Sequence, residues 1–202
     1  MIEGLDVSRE TMDRLETYQQ ILEKWNISIN LVAKGTINEA WRRHFVDSAQ
    51  IYRLAALKES WVDLGSGGGF PGLVCATIAS EASPSTKFTL VESDKRKATF
   101  LRQVINTLDL DVIVLTERIE NLQENQYDTI SARALAPLSK LLEMSNPLLK
   151  EGGQCAFLKG ARFRSEVEEA LESWRFSLQT EPSKTDQDAA ILIVKDIQHV
   201  GP

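Results

Sequence analysis

A glycine-rich segment carries the clearest chemical signal in the sequence. It reads Asp63-Leu64-Gly65-Ser66-Gly67-Gly68-Gly69-Phe70-Pro71-Gly72 and continues a short apolar run. Glycines at such a turn let a ligand lie directly on the backbone, and open α/β sheets bind ligands at the carboxyl ends of their strands. The segment therefore predicts a cofactor-binding loop that opens a helix, with Pro71 at the first helical position.

Two classes of cofactor are compatible with this loop. The spacing Gly67-x-Gly69-x-x-Gly72 satisfies the dinucleotide fingerprint, and Glu92 follows at about the offset of a ribose-binding carboxylate. However, Pro71 has no N–H to offer a pyrophosphate, and the Asp63 carboxylate would repel one. S-adenosylmethionine has no phosphate and carries a sulfonium and an ammonium, so both acids would favour it. An NAD(P)-binding oxidoreductase stays open as the alternative to a methyltransferase.

The elements that must hold this loop alternate between strands and helices. Short apolar runs predict strands at 61–64, 88–91, 112–115, 129–130, 154–158 and 190–194, with helices at 72–80, 95–108, 137–145 and 164–174. This alternation predicts a doubly wound α/β fold with a mostly parallel sheet. A further strand near 175–180 is joined to the last one only by a polar connector. These two strands are expected to form a closing antiparallel hairpin.

The first 59 residues have a different pattern. An apolar stripe at three- and four-residue steps predicts an amphipathic helix that starts near Ser8. Thr36 and Glu39 have the spacing of a capping box, which predicts a second helix beginning there, with a loop at 30–33. We therefore expect a helical extension over 1–59, packed on a cofactor-binding domain over 60–202.

Composition limits the possible functions. The 23 Lys and Arg residues are outnumbered by 29 Asp and Glu residues, so the net charge of -6 argues against a uniformly basic nucleic-acid-binding surface. Cys75 and Cys155 lie far from each other and from His44 and His199, so neither a disulfide nor a metal site is expected. No long apolar stretch or secretion signal is apparent, and a cytoplasmic location away from membranes is expected.

Several separated blocks closely resemble one family, the bacterial 7-methylguanosine methyltransferases of small-subunit ribosomal RNA, known as the glucose-inhibited division protein B family. The matching blocks are Asn30-Leu31-Val32, Arg43-His44-Phe45-Val46-Asp47-Ser48, the segment 63–72, Leu90-Val91-Glu92-Ser93, Lys95-Arg96-Lys97, Arg118-Ile119-Glu120, Ser131-Ala132-Arg133-Ala134 and Leu158-Lys159-Gly160. The resemblance covers roughly residues 20–160. Ala132 before the arginine, and Leu135 where phenylalanine is usual, depart from the family pattern.

The resemblance implies a class I, Rossmann-like methyltransferase with a seven-stranded sheet. It implies that Gly65, Phe70, Ile119, Glu120 and Arg133 contact S-adenosylmethionine, which becomes S-adenosylhomocysteine. With Asp63, Gly67 and Glu92 from the loop chemistry, these form the predicted cofactor site. It further implies methyl transfer to N7 of a specific guanine in 16S ribosomal RNA, within the small subunit or free. A methyltransferase that acts on another substrate stays open as an alternative. A monomer is expected.

No residue is expected to act as a general base or covalent nucleophile, because guanine N7 already presents a lone pair. Arg133 follows a strand end and could position the base or the cofactor. Basic clusters are expected to border the cofactor and to contact RNA phosphates; they comprise Arg42, Arg43, His44, Lys95, Arg96, Lys159, Arg162 and Arg164. For His44, a packing role between two helices is the alternative to an RNA contact.

Overall fold

The computed structural model describes residues 7–56, 58–124 and 126–201. Seven strands form one sheet with the order β3-β2-β1-β4-β5-β7-β6. The strands are β1 (Ser60–Leu64), β2 (Lys87–Val91), β3 (Val112–Leu115), β4 (Tyr127–Arg133), β5 (Leu149–Lys159), β6 (Trp174–Pro182) and β7 (Ala190–His199). The first five are parallel, and β7 runs antiparallel to both β5 and β6. The predicted class of sheet and its closing hairpin are confirmed.

Six α-helices pack on the two faces of this sheet. They are α1 (Arg9–Asn26), α2 (Asp47–Leu54), α3 (Gly72–Ala82), α4 (Lys95–Leu108), α5 (Leu138–Ser145) and α6 (Phe163–Ser173). One apolar core lies between the sheet and α1 to α4, and a second lies between the sheet and α5 and α6. Both cysteines are buried in these cores. Among the described helices, none is long and apolar enough to cross a membrane.

The start of α1 agrees with its local sequence. Ser8 is the N-cap, and its hydroxyl accepts a hydrogen bond from the Thr11 N–H at 3.0 Å. The apolar stripe of α1 is buried in the same core as Trp61 of β1. The residues before and after position 59 therefore share one core, although the two-part division itself stays a prediction.

The segment between α1 and α2 differs from its sequence interpretation. Instead of a capped α-helix beginning at Thr36, it contains a 3₁₀ helix at Lys34–Glu39 followed by a π-helical turn at Trp41–Val46. The Thr36 hydroxyl donates to the Ala33 carbonyl at 2.8 Å, inside the 3₁₀ turn, so it does not cap a helix. The capping-box prediction was wrong because it relied on the spacing of two side chains. A nearer backbone carbonyl, that of Ala33, accepts from the Thr36 hydroxyl instead.

Candidate cofactor and substrate site

The glycine loop connects β1 to α3 and has a backbone that only glycine adopts easily. Gly65, Gly67 and Gly69 have φ angles of 64°, 56° and 88°. A Cβ on Gly69 would lie 2.1 Å from the Tyr18 hydroxyl oxygen, and one on Gly72 would lie 2.4 Å from the Asp63 Cβ. The loop therefore needs glycine both for its turn and for its close packing. Pro71 is the N-cap of α3, one residue before its predicted place.

Tyr18 of α1 supports this loop from the side of the protein core. It is fully buried, and its hydroxyl donates to the Gly68 carbonyl. Burial raises the pKa of Tyr18 well above its usual value, so the hydroxyl keeps its proton. In the sequence, Tyr18 is one residue of the apolar stripe that predicts α1. The signal for its contact with the loop is that a buried tyrosine hydroxyl needs a polar partner.

Glu92 lies beside the loop, directly after β2. Its two carboxylate oxygens accept hydrogen bonds from the backbone N–H groups of Gly67, at 2.9 Å, and Asp94, at 2.8 Å. These bonds use about half of the acceptor positions of a carboxylate. Glu92 is thus fixed at the loop with acceptor capacity left, as a ribose-binding residue requires.

Asp63 does not lie where the loop chemistry placed it. Its side chain is fully buried beneath the loop, so it cannot touch the positive end of a cofactor directly, which corrects that prediction. One oxygen accepts from the Ser131 hydroxyl at 2.6 Å, while Oδ2 has no hydrogen-bond partner among the described residues. Burial raises the pKa of Asp63 to about 6. Its remaining influence on a bound cation is through space.

A cavity of about 1330 Å³ opens in front of the glycine loop, at the carboxyl ends of β1, β4 and β5. Five further segments line it: residues 31–33, residues 39–47 in part, residues 133–137 and 158–162 at the ends of β4 and β5, and residues 183–189 in part, in the connector between β6 and β7. This volume is larger than the roughly 300–1,000 Å³ of typical small-molecule sites. It has room for a nucleoside cofactor and a second group beside it.

Arg133, at the end of β4, is held at the centre of this cavity. Its guanidinium carbon lies 4.8 Å from the centroid of the Phe70 ring. Its Nη1 donates to Nδ1 of His44 at 2.7 Å and to the Arg43 carbonyl at 3.2 Å. His44 is only 8% exposed, and its second ring nitrogen lies 3.0 Å from the Thr36 hydroxyl. The geometry favours the packing role of His44 over an RNA contact, because both ring nitrogens are already engaged.

Of the predicted RNA-binding residues, Arg42, Arg43 and Arg162 line the cavity with exposed side chains. Lys159 also faces it but is 8% exposed, and its ammonium lies 2.5 Å from the Glu166 carboxylate. Lys159 also donates to the Ala136 carbonyl at 2.8 Å. The prediction of a phosphate contact for Lys159 is therefore corrected: its charge is neutralised inside the protein, where it fixes the loop after β4.

Three other predicted contacts lie outside this cavity. Lys95 and Arg96 begin α4, and Arg96 donates to the Ser28 carbonyl at 2.9 Å beside a smaller groove. Arg164 lies over the Phe163 ring at 4.7 Å and is not part of the cavity lining. The expectation that these residues border the cavity was wrong, because a position near a strand end does not determine the direction of the following turn.

Ile119 and Glu120 form a short 3₁₀ helix after β3 and are not among the residues that line the cavity. Their cofactor contact stays a prediction that depends on the family resemblance. Of the two departures from the family pattern, Ala132 is buried in the sheet beside Leu64 and Phe157. Leu135 packs on Gly65, and a Cβ added to that glycine would lie 2.6 Å from a methyl group of the leucine.

The connector between β6 and β7 gives the cavity a wall that the sequence did not identify. The Asp47 carboxylate accepts hydrogen bonds from the hydroxyls of Ser183, at 2.9 Å, and Thr185, at 2.7 Å. Gln50 accepts from the Lys184 N–H at 2.8 Å. The N-terminal segment therefore holds the connector in place. Pairing across so long a separation has no local sequence signal.

The sheet order bears on the NAD(P) alternative. A dinucleotide-binding Rossmann sheet has the order 3-2-1-4-5-6. Here an antiparallel seventh strand is inserted between β5 and β6. Together with two acids and a proline at the loop, this topology favours a methyl donor over a dinucleotide. Among the described residues, no group of His, Cys, Asp and Glu side chains could hold a metal ion.

Structural similarity agrees with this topology. A SAM-dependent methyltransferase from Aquifex aeolicus matches with a TM-score of 0.61 and 16% sequence identity, covering 87% of this chain and 96% of the other. M. jannaschii TYW2 in complex with AdoMet matches with a TM-score of 0.55 and 14% identity, covering 84% and 78%. At such identities the likeness shows the fold, a Rossmann-like methyltransferase fold.

Sequence similarity is more specific. A ribosomal RNA small subunit methyltransferase G of Cereibacter sphaeroides is 50% identical over 199 residues, which are 98% of this chain and 96% of that protein. The protein of the same name from Gluconobacter oxydans is 44% identical over 194 residues, covering 96% and 98%. The model of the GidB family, described as rRNA small subunit methyltransferase G, matches residues 11–190. The chain therefore belongs to the GidB family of rRNA small subunit methyltransferase G proteins.

Proposed function

We propose that this protein transfers the methyl group of S-adenosylmethionine to N7 of one guanine in small-subunit ribosomal RNA. Methylation of this RNA is the activity named for the family and for the relatives described above. The choice of N7 comes from the family resemblance. The observation that carries the proposal is the fixed Glu92 carboxylate at a glycine loop in a sheet of methyltransferase topology.

The residues present fit this cofactor. Glu92 would accept hydrogen bonds from the two ribose hydroxyls, and the backbone of Gly65 and Gly67 would lie against the cofactor. The buried Asp63, with one oxygen unpartnered, would favour a positive charge in front of the loop. When bound, S-adenosylmethionine would supply an electrophilic methyl group on a sulfonium.

The second half of the cavity would orient the base. Because N7 carries a lone pair and no proton, the protein needs no general base, and positioning should supply most of the rate. The His44 imidazole does not suit acid–base work, since burial and the nearby Arg133 and Arg43 lower its pKa to about 3. Arg133 would donate to an oxygen of the base or of the cofactor carboxylate. Arg42, Arg43 and Arg162 would contact phosphates around one unstacked guanine.

The proposed function also covers the oligomeric state and location of the protein and the form of its RNA substrate. The protein would act as a monomer in the cytoplasm, on 16S ribosomal RNA within the small subunit or free. Within the described part of the chain, few exposed arginines line the cavity, and the chain is acidic, so recognition would depend mainly on RNA shape.

A methyl-transfer assay tests the proposal. Purified protein and S-adenosylmethionine labelled in its methyl group would be mixed with small subunits, or with naked 16S ribosomal RNA, from cells that lack the protein. We expect one 7-methylguanosine per RNA, which nucleoside mass spectrometry and mapping would locate. Binding of NADH in place of S-adenosylmethionine, or label on another nucleoside, would overturn it. Cofactor binding without any transfer would instead identify a regulatory module that has lost activity.

A further inference from the structure

A directed series of hydrogen bonds runs from the 3₁₀ helix to the centre of the cavity. The Thr36 hydroxyl has a single proton, which it donates to the Ala33 carbonyl at 2.8 Å. Toward His44 Nε2, 3.0 Å away, the same oxygen can therefore only accept. It follows that Nε2 of His44 carries the ring proton. A neutral imidazole in this tautomer has an unprotonated Nδ1.

That unprotonated Nδ1 faces Arg133. The Nη1 group of Arg133 donates one hydrogen to Nδ1 at 2.7 Å and the other to the Arg43 carbonyl at 3.2 Å. The ring of Phe70 lies on one side of the guanidinium, with the His44 ring 5.2 Å from the same phenylalanine. Every polar contact in the series has one donor and one acceptor. The other neutral tautomer of His44 would set its Nδ1–H against an N–H of Arg133.

The backbone around His44 is built for this contact. His44 lies in the π-helical turn Trp41–Val46, between a 3₁₀ helix and α2. Such wide turns are rare and are frequently found at functional sites. The Arg43 carbonyl, which lies in this turn, accepts from Arg133. The same short turn thus supplies both acceptors of Nη1.

We propose that His44 and Thr36 are positioning residues, which hold Arg133 in place at the cavity through the series Arg133 to His44 to Thr36 to Ala33. His44 acts as a hydrogen-bond acceptor in one fixed tautomer, and it neither exchanges protons nor contacts RNA. This inference rests on the proposed function only for what Arg133 does to cofactor or base. The fixed tautomer is independent of the activity.

Matched variants test the positioning role. His44→Asn keeps an oxygen near the place of Nδ1, whereas His44→Leu removes the acceptor. Thr36→Ser keeps the hydroxyl, whereas Thr36→Val removes it without a large change of shape. We expect kcat/KM for methyl transfer to fall about tenfold to a hundredfold in His44→Leu. His44→Asn and Thr36→Ser should stay within about threefold of the unaltered protein, and Thr36→Val should fall between the pairs.

Nitrogen NMR of the imidazoles supplies a readout that packing alone would not move. The chain contains two histidines, so His199, far away beside Trp174, is an internal reference. We expect His44 to show a protonated Nε2 and an unprotonated Nδ1, and Thr36→Val to shift the Nε2 resonance because the acceptor of its proton is lost. A protonated Nδ1 in the unaltered protein would overturn the inference, as would full activity of His44→Leu.

The two kinds of failure are distinguishable. If the unaltered protein methylates no ribosomal RNA but His44 has the expected tautomer, the proposed function fails and the hydrogen-bond series stands. If methylation occurs with Nδ1 protonated, the function stands and the series fails. His199→Leu controls for the loss of a histidine elsewhere, and thermal unfolding of each variant shows whether lost activity reflects lost folding. Should His44→Leu not fold, the tautomer in the unaltered protein still decides.

Discussion

The two walls of the cavity are made in different ways. The cofactor wall is formed by the glycine loop, residues 63–72, with Glu92 beside it; residues 65–68 and Phe70 line the cavity itself. Its polar groups are backbone N–H groups and buried acids. The substrate wall consists of residues 42–44, 133–137, 158–162 and most of 183–189, which come from four separate parts of the chain. Its polar groups include charged side chains on a helical turn, at strand ends and on loops.

Because of this difference, the cofactor wall is rigid, whereas the substrate wall can adapt to a ligand. On the cofactor wall, most substitutions would collide with packed neighbours, as the Gly69 and Gly72 distances show. On the substrate wall, side chains such as Arg42 and Arg162 are exposed and can adapt to an RNA surface. We therefore expect substitutions in the cofactor wall to damage folding and cofactor binding, and substitutions of exposed arginines in the substrate wall, such as Arg42 and Arg162, to change only RNA affinity.

The largest effect is expected from Gly69→Ala. A Cβ there would collide with the Tyr18 hydroxyl, at a φ of 88° that alanine rarely adopts. We expect the free energy of unfolding to fall by about 3 kcal/mol, and cofactor affinity to fall by about a hundredfold. Chemical denaturation and calorimetry with S-adenosylmethionine would measure both. Gly35→Ala is the control, since nothing lies within 4 Å of a Cβ there; equal effects would contradict the comparison.

A second prediction concerns the pH dependence of stability. Burial raises the pKa of Asp63 from its usual 3.8 to about 6, so the folded state binds the proton more tightly than the unfolded chain does. This contribution to stability is nearly complete at about pH 3 and is lost as the pH rises through 6. Relative to Asp63→Asn, the unaltered protein should lose about 3 kcal/mol between about pH 3 and 7.

Urea denaturation at several pH values would measure the difference for Asp63. Asp13→Asn, at an exposed position on α1, is the matched control and should run parallel to the unaltered protein. If the free energy of unfolding of Asp63→Asn had the same pH dependence as that of the unaltered protein, Asp63 would not be the source of the expected loss.

The third prediction, on the same wall, concerns cofactor binding. Glu92→Gln keeps the shape of the side chain but loses the charge of the acceptor. We expect S-adenosylmethionine to bind about tenfold to a hundredfold more weakly, as for the loss of one or two charge-assisted hydrogen bonds. The exposed Glu168 on α6 gives the control, Glu168→Gln. Calorimetry showing equal affinities for the two variants would remove Glu92 from the ribose site.

The smallest effect is expected on the substrate wall. Arg162→Glu should raise KM for the small subunit about tenfold and reduce the salt dependence of binding by about one phosphate contact. Its affinity for S-adenosylmethionine should not change. Arg164→Glu should have less effect because Arg164 lies outside the cavity, and Arg53→Glu on α2 serves as the distant control. A loss of cofactor binding in Arg162→Glu would show that the walls are not separable.

Local patterns predicted most of the sheet and the cofactor wall. Continuous apolar runs identified β1, β2 and β3 almost to the residue, and the glycines with Glu92 identified the loop. The errors have a common cause. The Thr36 capping box, the direct contact of Asp63 and the phosphate contact of Lys159 were each inferred from residue type and spacing. Each side chain has a nearer partner or a deeper position in the fold.

By itself, the sequence determined the class of fold, the loop and the acid beside it, because hydrophobic period, glycine spacing and strand ends are properties of neighbours in the chain. Only the tertiary structure decided which charges are free. In the fold, Lys159 is paired with Glu166, and Asp63 is buried. Asp47 accepts hydrogen bonds from the connector, and His44 accepts one from Arg133. Those contacts link residues far apart in sequence, and the exposure of a charge depends on what packs over it.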